Sequence, residues 1–270
     1  MRLRGLDFAV RVEGDPAGEP VVLLHGFPQH AGAWEEVWPA LVEAGHRVVV
    51  PDQRGYSPGA RPPGARAYAA TELAADVLAL LDELRLAGAH LVGHDWGGAV
   101  AWGLASAAPN RVRSLTAVST PHPKALRTAS QAFRSWYVAA FLVPAVPERV
   151  LLASRAACLR RVLRRSGLPA GLADGYADRM AEPGALTAAL NWYRALPYAR
   201  PSIGPIDVPT LYVWGTDDVA LGPAAAAGTA RWVRGPYTFV RLPGIGHWIP
   251  ETAPDALLRP LLDHLRRYSS

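Results

Sequence analysis

Short apolar runs alternate with amphipathic stretches along the first 120 residues. PVVLLHG (20–26), HRVVVPD (46–52), AHLVGHD (89–95) and SLTAVST (114–120) are short and apolar, and read as buried strands. WEEVWPALVEAG (34–45) and TELAADVLALLDELRLAG (71–88) space their apolar residues as helices do, with Thr71 where an N-cap belongs and Gly88 where a helix stops. Strands alternating with helices predict a parallel α/β sheet. After Thr120 the character changes, and residues 122–205 offer helical patterns broken by Pro and Gly with no convincing strand. Strand patterns return in IDVPTLYVWGTDD (206–218) and YTFVRLPGIGH (237–247), and TAPDALLRPLLDHLRRYSS reads as a final helix. A helical block therefore interrupts an α/β core.

Composition narrows the class. The 270 residues suffice for one large core, or a core with a smaller insertion. Half of them are hydrophobic and 19% charged, an ordinary globular balance. The opening MRLRGLDFAVRVEG has basic residues but no apolar stretch of signal-peptide length, and AVAWGLASAA (99–108) is too short to cross a bilayer. The single cysteine, Cys158, excludes an intramolecular disulfide framework and fits a reducing cytoplasm. The net charge of +5 centres on RAACLRRVLRR (155–165), where Arg160, Arg161, Arg164 and Arg165 recur at helical spacing. That pattern suits a solvated helix face, and no nucleic-acid-binding motif accompanies it. A cytoplasmic enzyme, monomeric or homodimeric, with no nucleic-acid or membrane partner is expected.

The candidate chemistry begins at LVGHDWGGAVAW (91–102), a strand leading into a helix of small residues. Gly93 and Gly97 flank Asp95, as a sharp strand-to-helix turn requires, and such a turn presents its tip at the carboxyl edge of the sheet. The helix start adds a positive dipole end that favours an ionised Asp95. Asp is also a good N-cap, so this segment alone would equally suit a mere helix cap. Three further segments decide the matter. HGFPQ (25–29) follows the first strong strand, Asp218 follows a strand in WGTDDVALGP, and His247 lies in GIGHW after the last strand. Nucleophile, acid and histidine thus come in the chain order of an α/β-hydrolase triad.

On these residues the chain resembles the α/β-hydrolase superfamily and, within it, the epoxide hydrolase group. The resemblance runs through HGFPQ, DQRGYS (52–57), GHDWGG, NWYR (191–194), WGTDD and GHW. It implies a core of residues 1–121 and 206–270 with a helical cap, or lid, at 122–205. A carboxylate nucleophile suits displacement at a saturated carbon and forms an alkyl ester, which His247-activated water then cleaves. By resemblance the oxyanion donors are the N–H groups of Phe27 and Trp96, and the epoxide oxygen receives its proton from two lid tyrosines. NWYR points to Tyr193. The second, Tyr137, lies four residues before Phe141 and the looser PAVPE segment, in which Ala145 stands where the family has glycine. The acid falls at Asp218, with Asp217 a solvated neighbour. His25 and Tyr56 shape their loops, and His122, between two prolines, suits a hinge. Phe133, Trp136, Phe141 and Trp192 suggest a small apolar epoxide as the substrate beside water, and no cofactor or metal is implied.

Two other readings stay open. A haloalkane dehalogenase shares the aspartate, the following Trp and the ester, and would recruit Trp96 with Trp136 or Trp192 as halide donors. Against it stand Phe27, where that group has Asn, and the NWYR match. A catalytically silent hydrolase fold that binds a ligand is the other, although no triad member is missing.

Overall fold

The structure, a computed structural model, describes residues 1–128, 131, 136–198 and 203–269, with the side chains of Trp136 and Tyr137 outside the description. A two-stranded hairpin, β1 (Arg2–Leu3) with β2 (Leu6–Asp7), precedes a seven-stranded sheet. Its strands are β3 (Val10–Glu13), β4 (Glu19–Leu24), β5 (His46–Pro51), β6 (Ala89–His94), β7 (Val112–Val118), β8 (Thr210–Gly215) and β9 (Tyr237–Leu242), in the order β3-β5-β4-β6-β7-β8-β9. Only the β3–β5 pair is antiparallel.

The period-two pleat sorts each strand's side chains between two cores. Val22, Leu24, Val49, Leu91, Leu115, Ala117, Tyr212 and Trp214 face one core, and Val21, Leu23, Val48, Val50, Val92, Val118, Leu211 and Val213 face the other. The first is covered by α2 (Ala70–Glu83) and α3 (Trp96–Ala107). The second is covered by α1 (Trp38–Glu43) and by the last helix, whose Leu257, Leu261 and Leu265 repeat every four residues. Burial on both faces explains why the strands read as continuous apolar runs.

Several expected boundaries shift. The strands end one to five residues earlier than the apolar runs suggest, so His25, Asp52, Asp95, Ser119, Asp218 and His247 all lie in loops beyond strand ends. WEEVWPALVEAG is not one helix but a tight turn at Ala31–Trp34 followed by α1, which restarts with Pro39 in its first turn, where a missing N–H costs nothing. Thr71 is not the N-cap of α2, because Ala69 already accepts the N–H groups of Glu72 and Leu73. Nor does α2 run to Gly88. It ends at Glu83, and Arg85 takes a left-handed φ of 57° that lets the Leu86 N–H return to the Leu81 carbonyl.

Between β7 and β8 the described residues form helices: α4 (Trp136–Leu142), α5 (Val146–Arg165, with non-helical angles at 153–156), α6 (Ala170–Met180) and α7 (Ala185–Arg194). Arg160 and Arg164 of α5 pair with Asp174, and Arg160 also with Asp178, so half of that arginine cluster ties α5 to α6. Arg194 makes a firmer tie. Its guanidinium pairs with both oxygens of Glu148 on α5 (2.7 and 2.9 Å) and donates to the carbonyls of Phe141 and Val143 at the end of α4 (3.0 Å each). The two ends of the segment meet where His122 Nε2 donates to the Gly204 carbonyl (3.1 Å) while its ring stacks on Trp232. No described helix is long and apolar enough to cross a membrane.

Beneath α7, the Trp192 indole N–H donates to the carbonyl of Arg54 (2.9 Å). The Arg54 guanidinium in turn clasps both oxygens of Asp76 on α2 (2.6 and 2.7 Å), with both side chains nearly buried. Removing one partner strands the other charge in low dielectric. Asp76→Ala should therefore cost about 3–5 kcal/mol of unfolding free energy. Urea titration checks this, and a loss below 1 kcal/mol would mean that Arg54 finds other partners or water.

Candidate active site

Asp95 sits at the tip between β6 and α3 with φ 51° and ψ −120°, a backbone conformation costly for a side-chain-bearing residue. Close packing holds it there. A Cβ on Gly93 would lie 2.4 Å from the Gly97 carbonyl oxygen, and one on Gly97 would lie 2.2 Å from that of Leu24. The Thr120 hydroxyl donates to the Asp95 carbonyl (2.7 Å), and the Ala99 N–H bonds the same oxygen (3.1 Å). The Asp95 side chain makes no capping bond to its helix, so the bare helix-cap reading does not describe it.

The carboxylate instead meets the loop after β4. Asp95 Oδ1 accepts the Phe27 N–H (2.9 Å), and the Trp96 N–H at the head of α3 also favours the charged carboxylate. Such an approach needs Gly26, where an added Cβ would stand 2.4 Å from Asp95 Cβ. Asp95 Oδ2 lies 3.7 Å from His247 Nε2, too far for a hydrogen bond, which leaves that oxygen unclamped. The other ring nitrogen, Nδ1, bonds Asp218 Oδ2 at 2.9 Å, and Asp218 Oδ1 accepts the N–H groups of Ala220 and Leu221 (2.8 and 2.9 Å). Of the two adjacent acids it is Asp218, 3% exposed, that meets the imidazole, whereas Asp217 is exposed and bonds Thr216.

Burial raises the Asp95 carboxyl above its ordinary value, opposed by His247 and by the two N–H groups. For His247 burial works against the charged ring, but Asp218, Asp95 and Glu251 together outweigh it and push the imidazole up to about 9. In the resting site these neighbours therefore favour the protonated His247 ring.

An aromatic wall stands over Asp95. The Tyr193 ring meets Trp96, Phe141 and Phe27 edge-on or tilted at 5.0, 5.1 and 5.5 Å, and Trp192 packs against Trp96 at 5.7 Å. Phe133, and the side chains of Trp136 and Tyr137, lie outside the described residues; α4, on which the latter two begin, ends against Arg194. Tyr56 is buried between His25 and Trp192. His25 accepts the Gln53 N–H and donates to the Gly26 carbonyl. His122 is remote from this group, engaged with Gly204 and Trp232. Among the described residues no cluster of three or more His, Cys, Asp or Glu could hold a metal.

Sequence reasoning missed a second layer. Gln29 Oε1 accepts the Gly26 N–H (2.6 Å) and faces His94 Nδ1 (2.9 Å), while Gln29 Nε2 donates to Glu251 (2.6 Å). His94 Nε2 lies 2.9 Å from the His247 carbonyl. Gln29 was visible as the last letter of HGFPQ, but nothing local marks Glu251, in IPET, as buried.

Comparison with known proteins agrees with this geometry. The family profile for the alpha/beta hydrolase fold matches residues 19–254, and the chain belongs to that family. The AB hydrolase superfamily protein YfhM of Bacillus subtilis is 35% identical, across 97% of this chain and 95% of its own length. Epoxide hydrolase A of Mycobacterium tuberculosis is 33% identical, across 97% and 94%. The crystal structure of epoxide hydrolase A from Mycobacterium thermoresistibile superposes with a TM-score of 0.88 at 29% identity, covering 100% of this chain and 98% of that one. Within the α/β-hydrolase family, the chain falls in the epoxide hydrolase group.

The charge arrangement makes a pH prediction. Asp218→Asn removes the strongest of the charges favouring the imidazolium, so the His247 midpoint should fall from about 9. Because the folded midpoint lies above the unfolded value of roughly 6.5, this ring stabilises the wild-type fold fully below that value. The stabilisation fades as pH rises through about 9. Histidine NMR titration and urea melts at pH 6 and 9.5 read both effects, and an unmoved midpoint in Asp218→Asn would refute the assignment.

Proposed function

We propose that this protein is an epoxide hydrolase, opening a small apolar epoxide to a vicinal diol through an ester on Asp95. The observation that carries the reading is the Asp95 carboxylate itself. One oxygen accepts the Phe27 N–H, with the Trp96 N–H as the second oxyanion donor in this reading, and the other lies beside His247, with Tyr193 packed on Phe27 and Trp96. Residues 1–121 and 206–270 form the core in this reading, and 122–205 the lid that carries the aromatic side of the pocket.

In the first half-reaction Asp95 Oδ2 donates an electron pair to an epoxide carbon, and the C–O bond breaks with its pair going to oxygen. Tyr193, aided by Tyr137, supplies the proton to that oxygen. Esterification removes the negative charge of Asp95, one of those that hold His247 protonated, so the ring releases its proton to solvent as its turn as base arrives. His247 Nε2 then takes a proton from water, whose oxygen attacks Cγ of Asp95. The oxyanion forms at Oδ1, where the Phe27 and Trp96 N–H groups already point. Asp218 orients the ring and stabilises the imidazolium. Collapse breaks the Cγ–Oδ2 bond. The imidazolium proton passes to the departing alkoxide, the remaining water proton restores the tyrosine, and His247 takes back from solvent the proton it released once Asp95 is charged again.

Trp136, Phe141 and Trp192 line the apolar side of the pocket in this reading. Dehalogenation is disfavoured because the Trp192 N–H is already committed to the Arg54 carbonyl, and Phe27 offers only its backbone donor. Ligand binding without turnover does not explain a complete Asp95–His247–Asp218 arrangement.

His247→Ala, incubated with a mixed panel of terminal epoxides and haloalkanes, should accumulate a hydroxyalkyl adduct on the Asp95 peptide by mass spectrometry. A plain alkyl adduct would transfer the assignment to dehalogenation, and no adduct on a folded variant would reject Asp95 as nucleophile for that panel. Tyr193→Phe should slow ester formation about 10²-fold or more. A single-turnover rate within threefold of wild type would remove Tyr193 from the acid role.

A further inference from the structure

Glu251 has no part in the chemistry above, yet it is the third carboxylate in the shell of His247. It stands four residues after the histidine, on the short helix α8 (Ile249–Thr252). One oxygen accepts both the Gln29 side-chain amide (2.6 Å) and the Tyr176 hydroxyl of α6 (3.0 Å). The other, Oε2, is buried with no partner among the described residues. An ionisable group half satisfied in the interior is costly, so its retention asks for a function.

Its reach is wide. Gln29 passes the contact to the Gly26 N–H, next to the Phe27 donor, and to His94, whose far nitrogen meets the carbonyl of His247 itself. The rings of His94 and His247 lie 4.8 Å apart. His94 faces two acceptors, and burial keeps it neutral, so it has one N–H to divide between the Gln29 loop and the His247 loop. The titratable and charged groups around this cluster are His247 on the same loop, Tyr176 and Arg179 on α6, and His30, Glu35 and Asp52 beside them. Burial pushes the Glu251 carboxyl up to about 7, against the pull of Gln29, Tyr176 and His247, so it is ionised where His247 titrates near 9.

We propose that Glu251 is a positioning residue: it fixes, through Gln29, the loop that carries the oxyanion donor, anchors α6 through Tyr176, and places a third carboxylate on the loop of His247, four residues further along. The catalytic meaning of this rests on the epoxide hydrolase reading, but the electrostatic part stands without it.

Two variants of the full chain separate the parts. Glu251→Gln keeps an oxygen for Gln29 and Tyr176 while removing the charge. Glu251→Asp keeps the charge but shortens the reach. Histidine NMR titration of the resting protein, which needs no substrate, should show the His247 midpoint lowered in Glu251→Gln by roughly half a unit or more, the effect of one charge removed from a partly screened site. In Glu251→Asp it should stay near the wild-type value. With an epoxide that the wild type turns over, Glu251→Asp should cleave the ester about tenfold more slowly in single-turnover measurements, with kcat and KM falling together, through a displaced donor loop. An unmoved midpoint in folded Glu251→Gln overturns the electrostatic part. Should that variant not fold, a wild-type rate and pH profile in Glu251→Asp overturns the positioning part. Wild-type protein inactive on every epoxide would defeat the functional reading and leave the NMR result standing.

Discussion

Everything in the site depends on keeping one carboxylate at a backbone position that aspartate does not favour. A left-handed tip residue costs about 1–3 kcal/mol, and the surrounding backbone leaves it nowhere else to go. Gly93 and Gly97 let strand and helix close to contact, Gly26 lets the neighbouring loop press against Asp95, and Thr120 ties down its carbonyl. The strain brings the side chain against the Phe27 N–H of the neighbouring loop, with no capping bond to its own helix. Strand order does the rest. β4 and β7 flank β6 in the sheet, so the loops after both reach Asp95, while those after β8 and β9 bring Asp218 and His247.

Charge distribution then divides labour among three carboxylates that a composition count treats as equals. Among the described residues, Asp95 Oδ2 stands 3.7 Å from His247, Asp218 is saturated by two N–H groups and the imidazole, and Glu251 is bound on one oxygen only. A saturated carboxylate holds a ring in place, and an uncommitted one can react. His247 feels all three, and a change in the charge on Asp95 is therefore felt at once by the histidine.

Much of this was legible in the chain because the site uses strand ends. Apolar runs located the strands, and the residues by which those runs overshot the observed ends are the loops where Asp95, Asp218 and His247 reside. The parallel core and the helical block after β7 could be read from spacing and order, and the family resemblance pointed to Asp218, the residue that meets the His247 ring. The hairpin β1–β2 and the edge strand β3 could not, being two to four residues long with little apolar pattern. Helix ends were misplaced where a backbone turn, as at Arg85, did what a glycine was expected to do. The Gln29–Glu251 layer escaped because its residues lie 222 positions apart and only burial joins them.

The closure of His122 upon Gly204 has a consequence of a different kind. The entry and exit of the inserted helices are fastened to each other and to Trp232 of the sheet-bearing part, so β7 and β8 meet the insertion at a pinned junction. Tyr176, Trp192 and Tyr193 tie α6 and α7 to the loops at the strand ends as well. Stretches of the insertion away from these anchors can lengthen or shorten without pulling on the strands, and variation is thereby confined to the positions between fixed points.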